Sequence, residues 1–431
     1  LEDADNLLFA EPAFLHRPSP DRRTLAAERG QARGQGQLGP IAVTKSSYDI
    51  EIDGYIQDDK NQSYLHIGAL IRAKIERAGD FCSQILLVEL REDMPIHLAT
   101  LLYLFSSVLL FSLSGELSWF APTAYLLPWI ELAALGILIY LLAVEIPISA
   151  LRRSQRPLTD AVVRLWAHIQ YRAFPVVLLI FSLSIFYGVF TSNKNMLPIL
   201  SPTWRDESIA NFNQSLHLGY LPWKLVHGVT GYHPVTRVIE FLYLPIWLLI
   251  LVGLPVFLGA RRDLASLRVR YVLTMFLCFI VLGNFMAALG MSGGPAFYAK
   301  VTGDHERYKD LIDYLTFSHG MPFSAWDIQQ YLWACFEAKT PQLGSGISAF
   351  PSLHVSMATL FALAGRHLSL WLGRMLMLYG AVIFIGSIHL GWHYAVDGYA
   401  SVIGTVLLWS LVGRATKTVQ AMPTSSLRRN P

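Results

Sequence analysis

Apolar runs long enough to cross a bilayer recur along most of this 431-residue chain, separated by short polar breaks. A helix needs about 20 predominantly apolar residues to span the hydrocarbon core. The pattern predicts spans at 96–116, 122–147, 173–192, 238–259, 271–290, 351–370, 373–392 and 394–413. Glu116, Glu131 and Glu145 dilute the first two. Residues 201–236 differ in character, because Trp204, Ile209, Phe212, Leu216, Tyr220 and Trp223 sit among Asp206, Glu207, Asn211 and Lys224. Such a segment predicts one or two helices lying in the membrane interface, where Trp and Tyr are favoured.

Composition agrees. Only 15% of residues are charged, against roughly 25% in an ordinary soluble domain. The expected fold class is therefore all-α, a polytopic membrane protein with about eight transmembrane helices. Residues 1–45 are rich in Gly, Pro, Arg and Asp and cannot bury a core. Residues 46–95 alternate weakly over Tyr48–Asp53 and become helix-like from Ser63 to Glu76. Residues 1–95 are thus expected to form a cytoplasmic tail, partly disordered, with a small element or interfacial helix. No cleavable signal peptide is visible, and the first span is expected to act as its own insertion signal.

Charge placement orients the chain. Basic residues gather at Arg152, Arg153, Arg156 and Arg164, at Arg261, Arg262, Arg268 and Arg270, and at Arg414, Lys417, Arg428 and Arg429. The positive-inside rule makes these sides cytoplasmic. Both termini, including the tail 414–431, then lie in the cytoplasm. Loops 193–237 and 291–350 face the exterior or a lumen, with the bacterial inner membrane the expected location. Cys82, Cys278 and Cys335 have no CxxC spacing and read as small buried side chains. Loop 291–350 is long for a connector and carries Asp304, His305, Glu306, Arg307 and Lys309, so it reads as a cap over a site or a wall of the path to it. No internal repeat of the transporter kind is visible.

Two polar islands interrupt the C-terminal apolar segments: Gly346-Ile-Ser-Ala-Phe-Pro-Ser-Leu-His354 and His389-Leu-Gly-Trp-His393-Tyr-Ala-Val-Asp397. Ionisable residues at membrane depth are expensive and usually functional. If helical, His393 and Asp397 share a face at i, i+4 spacing, so the carboxylate can accept from one imidazole nitrogen and leave the other as nucleophile or base. His354, about forty residues earlier, can serve as general acid toward a leaving oxygen. The trio suits phosphoryl transfer through a phosphohistidine, with no cofactor and no metal. His389, His393 and Asp397 can also be read as a metal site, since HxxxH on a helix is a ligand pair. His389 otherwise reads as a supporting histidine.

Pro351-Ser-Leu-His354 followed by His393-Tyr-Ala-Val-Asp397 resembles the second and third signature motifs of the type-2 phosphatidic-acid phosphatase superfamily. Within it the sequence is most similar to the inositol phosphorylceramide synthase-like branch and its bacterial relatives. The resemblance covers roughly residues 200–413 and implies a six-helix catalytic core, here 193–413 with its interfacial helices and outer loop, after N-terminal membrane helices at 96–192. It implies His393 as nucleophile, Asp397 as its orienter, His354 as general acid and Ser352 as a ligand of phosphate oxygens. Gly294-Pro295 and Tyr298 resemble a loop segment of that branch, which adds Pro295 and Tyr298, with Lys300, as candidate substrate contacts.

The departures carry information. No clear counterpart of the family's first motif, with its lysine and arginine, precedes loop 291–350. Ser387 stands six residues before His393, where phosphatases carry arginine, and Leu353 replaces a glycine. Ser387 and His389 remain candidate substrate neighbours. A phosphomonoester dianion calls for several cations, arginine above all, while a diester carries one charge. The missing arginines favour a diester and head-group transfer, with Lys300, Arg307 or Lys309 as other sources of charge. The expected function is transfer of a phospho-head group, such as phosphoinositol, from a phospholipid donor to a lipid acceptor hydroxyl on ceramide or diacylglycerol. The alternative is a lipid phosphate or polyprenyl diphosphate phosphatase of the same fold; a lipid-binding protein or transporter without catalysis is a third class. Nucleic acid is not an expected partner, and oligomeric state is not legible.

Overall fold

The computed structural model describes residues 42–45, 50–53, 90–169, 173–339 and 342–421. Two compact units divide at Phe81–Cys82. In the first, β1 (Ala42–Lys45) pairs antiparallel with β2 (Ile50–Asp53). Of the weak alternation at Tyr48–Asp53, residues 50–53 form β2, and 48–49 lie outside the described residues. The helix-like stretch 63–76 and Cys82 lie outside the described residues, as does nearly all of the tail assigned to 1–95.

The second unit is helical. α1 (Leu90–Ser114) is followed by α2 (Leu126–Tyr140), which passes through a π segment at 141–145 into α3 (Ile146–Leu151). α4 (Pro157–Ile169) precedes the long α5 (Ala173–Leu200). The amphipathic segment folds as α6 (Asp206–Leu216) and α7 (Pro222–Thr230). α8 (His233–Phe241) continues through a π turn containing Pro245 into α9 (Trp247–Ala260). α10 (Ala265–Leu277) likewise runs through a π segment into α11 (Ala287–Leu289). The long loop holds α12 (Tyr298–Thr302), α13 (Lys309–Leu315) and α14 (Ala325–Glu337). α15 (Leu353–Leu368), α16 (Leu370–His389) and α17 (Ala395–Ala421) complete the bundle.

The protein is an all-α polytopic membrane protein. Among the described residues six helices are long and apolar enough to cross a bilayer: Leu90–Ser114, Phe174–Leu200, His233–Ala260, Arg262–Leu289, Leu370–His389 and Ala395–Thr416. Two of the eight expected spans are not among them: 122–147 falls on α2, apolar but 15 residues long, and 351–370 falls on the 16-residue α15.

Span limits moved where tertiary contacts satisfy charges. α1 starts before residue 96 because buried Asp93 meets buried Arg268 at 2.7 Å. The same pair lets the helix after Ala260 begin near Arg262 instead of 271. α5 continues past 192 because Asn193 bonds Tyr103 and Ser107 at 2.9 and 2.8 Å, and Asn195 bonds Ser345 at 3.0 Å. Glu145 is buried against the Arg164 guanidinium at 3.0 Å. Aromatic rings fill the seam between α5 and the helix from 262: Phe186 stacks on Phe276 at 3.8 Å and Phe190 meets Phe279 edge-on at 4.7 Å.

α15, α16 and α17 are joined by tight connections and alternate in direction. The start of α15, the end of α16 and the start of α17 therefore share one end of the bundle. Arg270, from one of the basic clusters, sits at the other end, where it bonds the Trp409 carbonyl at 3.0 Å and approaches His367 at 3.4 Å.

Candidate functional site

His393 and Asp397 come together, but not as two turns of one helix. His393 is in the extended connection before α17, and Asp397 is in that helix's first turn. The Asp397 carboxylate reaches back to accept from the Tyr394 N–H at 2.8 Å, closing the helix start as a capping side chain does. His393 Nδ1 lies 3.6 Å from Asp397 Oδ2, outside hydrogen-bond range. Its partner is the Ala349 carbonyl at 2.7 Å. A carbonyl only accepts, so Nδ1 carries the proton and Nε2 keeps its lone pair. The expected direct Asp397 bond is thus replaced by a backbone acceptor, with the carboxylate 3.6 Å from the same nitrogen. Both groups are buried, and among the described residues Asp397 Oδ1 has no hydrogen-bond partner.

The irregular segment before α15 is fixed from several sides. Ala349 N–H bonds the Ser292 carbonyl at 2.8 Å, and Ser352 N–H bonds the Asp397 carbonyl at 3.3 Å. The Phe350–Pro351 peptide is cis. Ser352 caps α15, its hydroxyl accepting from Val355 N–H at 3.4 Å. The His354 ring lies between Tyr243 and Trp247, each 4.3 Å away, and Trp247 Nε1 donates to the His354 carbonyl at 3.1 Å. His393 and Lys194 are both close enough to act electrostatically on His354.

Asp206 links this assembly to the interfacial helices. Fully buried at the start of α6, it accepts from Gly293 N–H and Gly294 N–H at 2.9 Å each and from the Tyr394 hydroxyl at 2.8 Å. Burial pushes its carboxyl above the usual range, against the pull of those donors. Gly294 has φ +79°, and a Cβ there would lie 2.5 Å from the Trp392 carbonyl oxygen, so only glycine lets the 291–297 turn approach His393's neighbour.

The remaining candidates fall into two groups. Ser387 bears on the site through its backbone: its carbonyl accepts the N–H groups of Trp392 and His393 at 3.0 and 3.1 Å. Pro295 is buried in the turn that Asp206 holds, and Ala296 N–H bonds the Gly391 carbonyl at 2.8 Å. His389 points elsewhere. Its Nδ1 meets Thr230 and its Nε2 meets Thr236, each at 2.8 Å, pinning α7 and α8 to the end of α16. Both nitrogens are thereby engaged, which removes the HxxxH pairing from the site. Lys300 lies over the Trp333 ring at 4.6 Å, and Arg307 bonds Asn211 and Gln214 at 2.7 Å and Tyr298 at 3.2 Å. Those cations and Tyr298 brace the cap, and Lys309 is exposed.

Another cation, Lys194, which the sequence reading passed over, is near enough to His354 to act on it electrostatically. It sits near the end of α5, and among the described residues its ammonium has no ion pair or hydrogen bond. Gly346, at φ +93°, packs against it: a Cβ there would lie 3.0 Å from Lys194 Cγ. The available signal was a lysine inside an apolar run, which marks function by default. It was lost because Ser192–Asn195 looked like the end of a span. Asp206 and the Ala349 carbonyl were missed as well, since neither a clamp nor a backbone acceptor has a motif.

Residues 207–411 match the family model described as the PAP2 superfamily. The match supports that superfamily and, with it, a lipid enzyme of the phosphatase or phosphotransferase type. It spans α6 to α17 and leaves Lys194 and Asp206 just outside. A search of curated proteins and a search of solved structures found no match to the chain.

Proposed function

We propose that this protein is a membrane phosphotransferase that moves a phospho-head group, such as phosphoinositol, from a phospholipid to the hydroxyl of a lipid acceptor such as ceramide or diacylglycerol. The observation that carries the reading is the His393 ring, held by the Ala349 carbonyl at 2.7 Å so that Nε2 is the free nucleophile. His393 Nε2 attacks phosphorus, the bond from phosphorus to the departing alcohol breaks, and His354 gives that oxygen a proton. The acceptor hydroxyl then passes its proton to His354 and attacks phosphorus, and the P–N bond breaks. Asp397 stabilises the positive charge that the imidazole gains while phosphorylated. Lys194 faces the phosphate oxygens; one cation suits a singly charged diester better than a doubly charged monoester. The site opens on the extracytoplasmic or lumenal face, since basic residues such as Arg270 at the far end are drawn to the cytoplasm.

A hydrolase differs only in using water as second nucleophile. Purified protein given phospholipid labelled in its head group, with and without ceramide or diacylglycerol, separates the two. Labelled product that appears only with the acceptor supports transfer, whereas release of the labelled head group or phosphate without any acceptor rejects it.

A further inference from the structure

Beside the histidines, α6 and the first turns of α17 enclose a groove of about 510 Å³, a size that small ligands fill, about 300–1,000 Å³. Phe212 and Leu216 of α6, Val396 and Tyr399 of α17, and Phe350 and Arg205 line it. We propose that this groove holds an acyl chain of the phospholipid whose phosphate is presented to His393. The proposal rests on the phosphotransfer reading and adds where the substrate's tail lies.

Four observations point to that occupant. The groove is continuous with the site: Phe350 follows Ala349, whose carbonyl holds His393, and Val396 is three residues beyond His393. It lies at the level where spans end, because Gly290 lines it directly after the span Arg262–Leu289, and Val396 is the second residue of Ala395–Thr416. Its walls are apolar and open: Phe212 is 61% exposed, Leu216 52% and Tyr399 41%. Against water that exposure is unfavourable, whereas a hydrocarbon chain, having no hydrogen bonds to satisfy, covers it. Charge complements shape. The Arg205 guanidinium is exposed and, among the described residues, makes no ion pair, so it stands where the anionic phosphodiester follows the chain out of the groove.

The test uses full-length protein in phosphatidylcholine nanodiscs with phosphatidylinositol bearing a diazirine at the end of one acyl chain. Photolysis is expected to label α6 and the start of α17. Ala400→Trp and Ser208→Trp, which fill the groove from opposite walls, are expected to cut that labelling by about tenfold and to lower the preference for long-chain over dibutanoyl substrate by a similar factor. Two variants on separate helices guard against a single misfolded protein. Labelling elsewhere, labelling that neither Trp reduces, or a crosslink joining two copies through this face would overturn the groove assignment. Groove labelling that the Trp variants remove, in a protein that transfers no head group, would leave the groove standing and sink the phosphotransfer reading instead.

Discussion

The Nδ1 proton of His393 is claimed by the Ala349 carbonyl at 2.7 Å, while Asp397 waits at 3.6 Å. In a triad whose carboxylate alone sets the tautomer, neutralising that acid costs about 10⁴-fold in kcat. Here a backbone group already sets it. Asp397→Asn, which keeps an oxygen for the Tyr394 N–H, is therefore expected to cost only about 10–100-fold, against roughly 10⁴-fold or more for His393→Ala. Steady-state head-group transfer decides, and equal losses in the two variants would return the orienting role to the carboxylate.

Lys194 is expected to act on substrate binding and transition-state charge together. A hydrogen bond to a charged group contributes about 1.5–3 kcal/mol, so Lys194→Met should lower kcat/KM by about 10–100-fold. Lys194→Arg should recover part of it. Unchanged kinetics in Lys194→Met would remove the lysine from the site.

Asp206 holds two glycine N–H groups and the Tyr394 hydroxyl, and so fixes the backbone on both sides of His393. Misplacing a catalytic group by an ångström can cost about 10²-fold. Asp206→Ala should therefore lose about that factor in kcat, with a smaller change in KM. A variant that folds and turns over normally would show the clamp to be dispensable.

Arg268 and Asp93 form a buried pair at the opposite end, with Arg268 also bonding the Leu258 and Arg261 carbonyls at 3.2 and 3.1 Å. Removing one partner strands the other charge, at about 3–5 kcal/mol. Arg268→Met is expected to lower the unfolding temperature clearly, measured by fluorescence in detergent. The same variant should leave the kcat of the folded fraction near wild type, because the pair is remote from His393.

His227 supplies a pH dependence of stability. Burial lowers its pKa, partly opposed by its bond to the His389 carbonyl at 2.9 Å. Its folded value lies below the unfolded one of about 6.5, so the unfolded chain takes up the proton first. Its contribution is complete above about 6.5 and is lost as pH falls towards the lowered value. Thermal stability should decline on acidification below neutrality, and His227→Gln should flatten that slope. An unaltered slope in the variant would assign it to other groups.

The class of fold was legible from the apolar runs, because a bilayer leaves helices few alternatives to crossing it. His354, His393 and Asp397 could be singled out as candidates because buried charge is costly enough to stand out in an apolar sequence. What escaped was set by contacts between distant segments. The bond from Asn193 to Tyr103 let α5 run on and carry Lys194 towards His354, and Arg268 meeting Asp93 shifted the limits of two spans. His389, so close in sequence to His393, was turned away by Thr230 and Thr236. Composition and spacing fix which segments leave water and which residues are too costly to be accidental. Only tertiary packing decides which donor meets which acceptor, since hydrogen bonds depend on ångström distances between parts of the chain far apart in sequence.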